Sequence, residues 1–177
     1  MHKVRLYDES APTYHRRYRQ IQGIKYQAIA PFLLEGPIID VGFGTGIGLA
    51  SIIKHSPVVG IDGSIEMLRF AAEQLKEMKQ GNQMVSLVCA LAEALPVRDC
   101  SVPSVVSVTM IQNLTSVVQG IDELRRIVQK DGRLALTSLS KILPLKELES
   151  KIKINFTVIT HFENLAAEDD GLIFRPS

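Results

Sequence analysis

Residues 38–48 read IIDVGFGTGIG, an apolar β-branched run and an aspartate followed by glycines at positions 42, 44, 46 and 48. A β-branched run that ends in glycine reads as a short buried strand, and TGIGLASIIKHS beyond it reads as a helix. The turn between them is nearly free of side chains, the composition a backbone needs where a ligand comes close to it. This unit places a binding turn at the carboxyl end of a buried strand, and the rest of the chain has to be arranged around it.

Helices and strands alternate on either side. Tyr18, Ile21, Ile24, Ile29 and Phe32 recur at roughly helical spacing and predict one or two helices over 14–34. PVVGID reads as a second strand, and SIEMLRFAAEQLKEMKQG as an amphipathic helix capped by Ser64 and stopped by Gly81. MVSLVCA, VPSVVSVTM and KDGRLALTSLS supply strands three to five, with SVVQGIDELRRIVQ a helix before the fifth and PLKELESKIK a helix after it. NFTVITHFEN and GLIFRP are joined by LAAEDDG without room for a helix, which predicts an antiparallel hairpin. The expected class is α/β, a doubly wound and mainly parallel seven-stranded sheet closed by that hairpin. With 177 residues, 46% of them hydrophobic, one domain is expected: a helical segment over 1–36, a core over 37–140 and a closing helix and hairpin over 141–177.

Spacing narrows the ligand. A P-loop requires a lysine directly after its glycines, and none occurs before Lys54. The dinucleotide pattern G-x-G-x-x-G requires glycine where Ile47 or Leu49 stands. Asp40, two residues ahead of Gly42, is repulsive to phosphate and suits a cationic ligand. Asp62 follows Asp40 by 62 − 40 = 22 residues, the separation at which an acid accepts hydrogen bonds from a ribose diol. A ribose without phosphate beside a positive centre describes S-adenosylmethionine.

DVGFGTG, GIDGSIEML, CALAEALPVRD, VVSVTMIQNL and ELRRIVQKDGRLALTSLS, in this order over residues 38 to about 140, resemble the successive motifs of the class I S-adenosylmethionine-dependent methyltransferases. The resemblance implies their Rossmann-like fold. It implies that Gly42, Phe43, Gly44 and Gly46 form the cofactor loop, with Asp40 near the cofactor's amino group. Asp62 would hold the ribose hydroxyls, and Gly63, Ser64 or Met67 would border the adenine. Leu91, Ala92 and Glu93 occupy the block that reads the adenine edge; many relatives carry an aspartate where this chain has Leu91, leaving backbone groups or Glu93 to do so.

The acceptor side falls in TMIQNLTS, where Thr109, Gln112 and Asn113 are candidates for positioning an acceptor, Thr109 also bordering the cofactor. Each is equally explained as a cap. TYHRRYRQIQGIKYQ mixes Tyr14, Tyr18 and Tyr26 with His15, Arg16, Arg17, Arg19 and Lys25. It reads as a lid over the cofactor, with Tyr14 a further catalytic candidate and a basic face open to RNA, or as an amphipathic helix packed on the sheet. The acceptor stays open between a tRNA, rRNA or other translation component and a small molecule, and a noncatalytic cofactor-binding subunit is the alternative.

MVSLVCA, Met84–Ala90, is an uncharged strand that the family's usual order puts at a sheet edge. A homodimer, or a small zinc-binding activator subunit of the kind some relatives use, is expected to pair there. The net charge of +1 draws the chain to neither nucleic acid nor membrane as a whole. Cys89 and Cys100 lack metal-ligand spacing and read as buried or half-buried free thiols, so no metal is expected. MHKVRLYDESAPTYHRRYRQ has no signal-peptide core and no apolar run suits a membrane helix, which together lead to the expectation of a cytoplasmic protein.

Overall fold

A computed structural model of the chain describes residues 11–53, 56–77, 84–152 and 156–176. Seven strands form one sheet: β1 Ile38–Val41, β2 Val58–Asp62, β3 Val85–Cys89, β4 Val102–Ser107, β5 Val128–Leu139, β6 Phe156–Leu165 and β7 Asp169–Pro176, in the spatial order β3-β2-β1-β4-β5-β7-β6. The first five strands pair in parallel, and β7 is antiparallel to both β5 and β6. The doubly wound α/β sheet and its closing hairpin therefore form as expected. The order reverses between β1 and β4, which opens a crevice at the strands' carboxyl ends.

Helices α1 Ala11–Ile29, α2 Leu49–Ile52, α3 Ile65–Glu77, α4 Val117–Ile127 and α5 Leu145–Ile152 cover the sheet. The pleat sends alternate residues of each buried strand to opposite faces. Ile38 and Val106 pack with Tyr26 and Ile29 of α1 and Leu68 of α3, whereas Ile39 and Val105 pack with Ile121, Leu124 and Ile127 of α4. Those three α4 side chains are buried to within 1% exposure, and each stabilises the fold by about 1.5–3 kcal/mol relative to an exposed position. Ser116 caps α4 by accepting the Gln119 N–H at 3.2 Å, and Ser64 caps α3 by accepting the Met67 N–H at 3.2 Å. On the outer side of α4, Arg126 donates to Glu123, to Asp99 at 2.6 Å and to the carbonyls of Val97 and Leu95 at 2.7 and 3.0 Å. It pins the loop that leads from β3 into β4.

The structure differs from expectation in several places. The helix expected over TGIGLASIIKHS is one turn, Leu49–Ile52, and the Ser56 N–H already donates back to the Ile53 carbonyl at 3.1 Å; a residue before proline is disfavoured in a helix, and Ser56 precedes Pro57. β5 starts at Val128, ahead of the expected KDG turn, because Val128 pairs with Val102 before a register shift. Cys89 and Cys100 are both exposed: Cys89 ends the edge strand β3, and Cys100 occupies a left-handed turn with φ +48°. The helix stop at Gly81 lies outside the described residues.

Candidate functional site

A cavity of about 600 Å³ opens across the carboxyl ends of β3, β2, β1 and β4. Its wall at one end is Asp62, Gly63, Ser64 and Met67 from the β2 turn together with Leu91, Ala92 and Glu93 beyond β3. Gly42 and Gly44 form its middle, and Val108, Thr109, Met110, Asn113 and Leu114 its β4 end, with Tyr14 of α1 over it. Among the described lining residues the ionisable acids are Asp62 and Glu93, and no lysine or arginine lines the cavity.

The glycine loop is held by its neighbours. The Gly42 and Phe43 amides donate to the Ile61 carbonyl at 2.8 and 3.1 Å, and the Gly44 N–H donates to Asp62 Oδ2 at 2.8 Å while Ser64 N–H donates to Oδ1 at 2.8 Å. Asp62 thus joins two turns with its carboxylate fixed at the cavity wall. Gly44 has φ +56°, and a Cβ there would meet only the Gly42 carbonyl at 3.9 Å, so the space beside it belongs to the cavity. A Cβ on Gly42 would lie 2.4 Å from Met110, which explains that glycine by packing.

Asp40, Phe43 and Gly46 stand behind the loop and do not line the cavity. Phe43 is a core residue packed on Gly60, and Gly46 lies against the Phe43 ring. The Asp40 carboxylate is fully buried and accepts a hydrogen bond from the Tyr26 hydroxyl, with oxygen separations of 3.0 and 2.8 Å. Its position in the pleat turns it toward α1, so an influence of Asp40 on a ligand amino group in the cavity runs through water or the loop between them. Burial raises its pKa to about 7, against the lowering effect of the Tyr26 hydrogen bond and with a further rise from Asp62. Burial also raises Tyr26. Closer to the helix start, His15 Nδ1 is 3.0 Å from the Thr45 hydroxyl, and burial, then Arg19, lowers its pKa.

Of the acceptor-side candidates, Thr109, Asn113 and Tyr14 line the cavity and Gln112 does not. Gln112 is buried and donates from Nε2 to the Thr109 carbonyl at 2.8 Å. Glu93 accepts the Thr115 N–H at 2.9 Å, tying the β3 wall to the β4 loop. Lys25, read above as part of a basic face, is instead fully buried. Its Nζ donates to Asp169 at 2.7 Å and to the Thr109 hydroxyl at 3.0 Å. The apolar spacing pointed to Ile24, which is 45% exposed. The inward phase is that of Gln22, Lys25, Tyr26 and Ile29, and only the periodicity of 18, 22, 25 and 29, read without regard to polarity, carries that signal. Arg16, Arg17 and Arg19 are exposed. Among the described residues no helix is long and apolar enough to cross a membrane.

Known proteins agree with this geometry. A family model described as a methyltransferase domain matches residues 39–136. The ubiquinone/menaquinone biosynthesis C-methyltransferase UbiE of Geotalea uraniireducens is 33% identical over 109 residues, 59% of this chain and 46% of that protein. The malonyl-[acyl-carrier protein] O-methyltransferase of Methylovorus sp. is 28% identical over 180 residues, 94% of this chain and 59% of that protein. The chain therefore spans about half the length of the curated relatives it matches. A putative S-adenosyl-L-methionine-dependent methyltransferase of Methanococcus maripaludis has the same fold, with a TM-score of 0.76 over 98% of this chain and 92% of that one, at 16% identity.

Proposed function

Because the chain belongs to the class I S-adenosylmethionine-dependent methyltransferases, we propose that it catalyses methyl transfer to a small organic acceptor held at the β4 end of the cavity. The observation that carries this reading is the charge of the lining: the carboxylates of Asp62 and Glu93 with no basic side chain among the described residues. Such a wall attracts a sulfonium and repels the phosphates of a dinucleotide. The open side of Gly44 leaves room for the cofactor's approach to the backbone. When bound, S-adenosylmethionine supplies an activated methyl group, so the protein's task is mainly alignment.

Each end of the cavity has its part. Asp62 is oriented by the Gly44 and Ser64 amides to accept from a vicinal diol. Met67 and Leu91 offer apolar surface on either side of it. At the other end Val108, Met110 and Leu114 favour an apolar acceptor, and Thr109 and Asn113 offer it hydrogen bonds. Tyr14 lines the same cavity from α1. The relatives' names, a ubiquinone/menaquinone biosynthesis C-methyltransferase and a malonyl-[acyl-carrier protein] O-methyltransferase, support a small acceptor group, free or carried on a protein, over RNA. The exposed edge of β3 is the proposed contact for a second chain, either a copy of this one or a small activator subunit.

The test is incubation with methyl-labelled S-adenosylmethionine and a panel containing a hydroquinone, a malonyl thioester and bulk tRNA. Label in a small acceptor is the expected result, whereas label in RNA alone would overturn the acceptor class.

A further inference from the structure

Resting on the methyl-transfer reading, the geometry points to Lys25 and Asp169 as positioning residues: their buried ion pair holds the Thr109 turn in a left-handed conformation at the β4 wall of the cavity. Thr109 has φ +55°, a conformation that a β-branched side chain resists. Strain of this kind persists only where the surroundings over-determine it. Every polar group of Thr109 is engaged. Its N–H donates to Thr137 Oγ1 at 2.9 Å, its carbonyl accepts from Gln112, and its hydroxyl accepts from Lys25 and donates to Asp169 Oδ2 at 2.7 Å. Thr137 Oγ1 in turn donates to the same Asp169 oxygen at 2.5 Å.

The participants come from separate parts of the chain. Lys25 belongs to α1, Thr109 follows β4, Thr137 belongs to β5, and Asp169 opens β7. A buried ion pair adds little to stability compared with apolar residues of the same volume, because desolvation of both charges offsets their attraction. What it adds here is a single arrangement of its hydrogen-bonded neighbours. The same lysine anchors α1, whose Tyr14 lies three helical turns earlier over the cavity. One buried contact thereby sets two walls of the site, the Thr109 turn and the Tyr14 end of α1.

The double variant Lys25→Met/Asp169→Leu removes both charges and puts apolar side chains in their place. Backbone 15N and 13Cα chemical shifts at residue 109 report its conformation, and calorimetry with S-adenosylhomocysteine reports the site. Asp169→Asn, which breaks the ion pair but keeps an oxygen to accept from the Thr109 and Thr137 hydroxyls, carries the same two measurements if the double variant does not fold. The expected result is a residue 109 shift that leaves the left-handed range, with affinity reduced about tenfold or more, the scale on which a misplaced site group acts. An unchanged shift at residue 109, or a changed shift with wild-type affinity, would overturn the assignment. Failure of the wild-type protein to bind S-adenosylhomocysteine would instead sink the methyl-donor reading, and the residue 109 shift would still show whether the pair holds the turn.

Discussion

At Gly44 the backbone conformation and the open space coincide, so the residue has both a structural and a binding reason to be glycine. Gly44→Val should cost stability through its positive φ, about 1–2 kcal/mol, and should abolish cofactor binding by filling the cavity. Thermal melting beside calorimetry separates the two effects. Asp40 gives a pH signature. Its folded pKa of about 7 lies above the ordinary 3.8, so the folded state binds the extra proton. That contribution to stability is fully present below about pH 4 and is lost as pH rises through 7. His15, lowered by burial and Arg19, acts in the opposite direction, since its contribution is lost as pH falls. Asp40→Asn should flatten only the first effect, and urea midpoints at pH 5 and pH 8 for both proteins check this. Asp62 and Gly44 were legible in the sequence because spacing and turn chemistry specify them. The bond between Asp40 and Tyr26 was not legible, because motif spacing does not reveal to which side of a four-residue strand a side chain points.

At the scale of elements, α4 and α3 follow directly from their caps and apolar stripes. α1 does not. Its inward stripe includes Gln22 and Lys25, and a reading that equates burial with apolarity rotates the helix toward Ile24. Lys25 is tolerated inside because Asp169 and Thr109, with Glu168 at 3.6 Å, reach it, and the first two are partners 144 and 84 residues away that no local pattern can supply. The loop after β3 depends likewise on a distant residue. Arg126→Met should lose the bonds to Glu123, Asp99, Val97 and Leu95 and lower stability by about 1.5–3 kcal/mol, the worth of a hydrogen bond to a charged group. Denaturant unfolding measures it, and faster amide exchange over 95–99 should accompany it.

For the whole molecule, alternation of strands and helices was enough to reach the sheet and its C-terminal hairpin, since parallel strands require crossovers and the last two lack one. The location of the site followed from topology, because the glycine turn leaves β1 where the order reverses. The polar latch beneath α1 did not follow, being assembled only when four separate segments meet. The proposed ligand of this crevice is a sulfonium nucleoside without phosphate, with Asp62 on its ribose. Calorimetric titration of the wild-type protein and Asp62→Ala with S-adenosylmethionine and with NAD tests it most directly. The expected result is that S-adenosylmethionine binds, that NAD does not, and that Asp62→Ala weakens binding by roughly 1–3 kcal/mol through lost charge-assisted hydrogen bonds. Binding of NAD without S-adenosylmethionine, or an affinity untouched by Asp62→Ala, would contradict it.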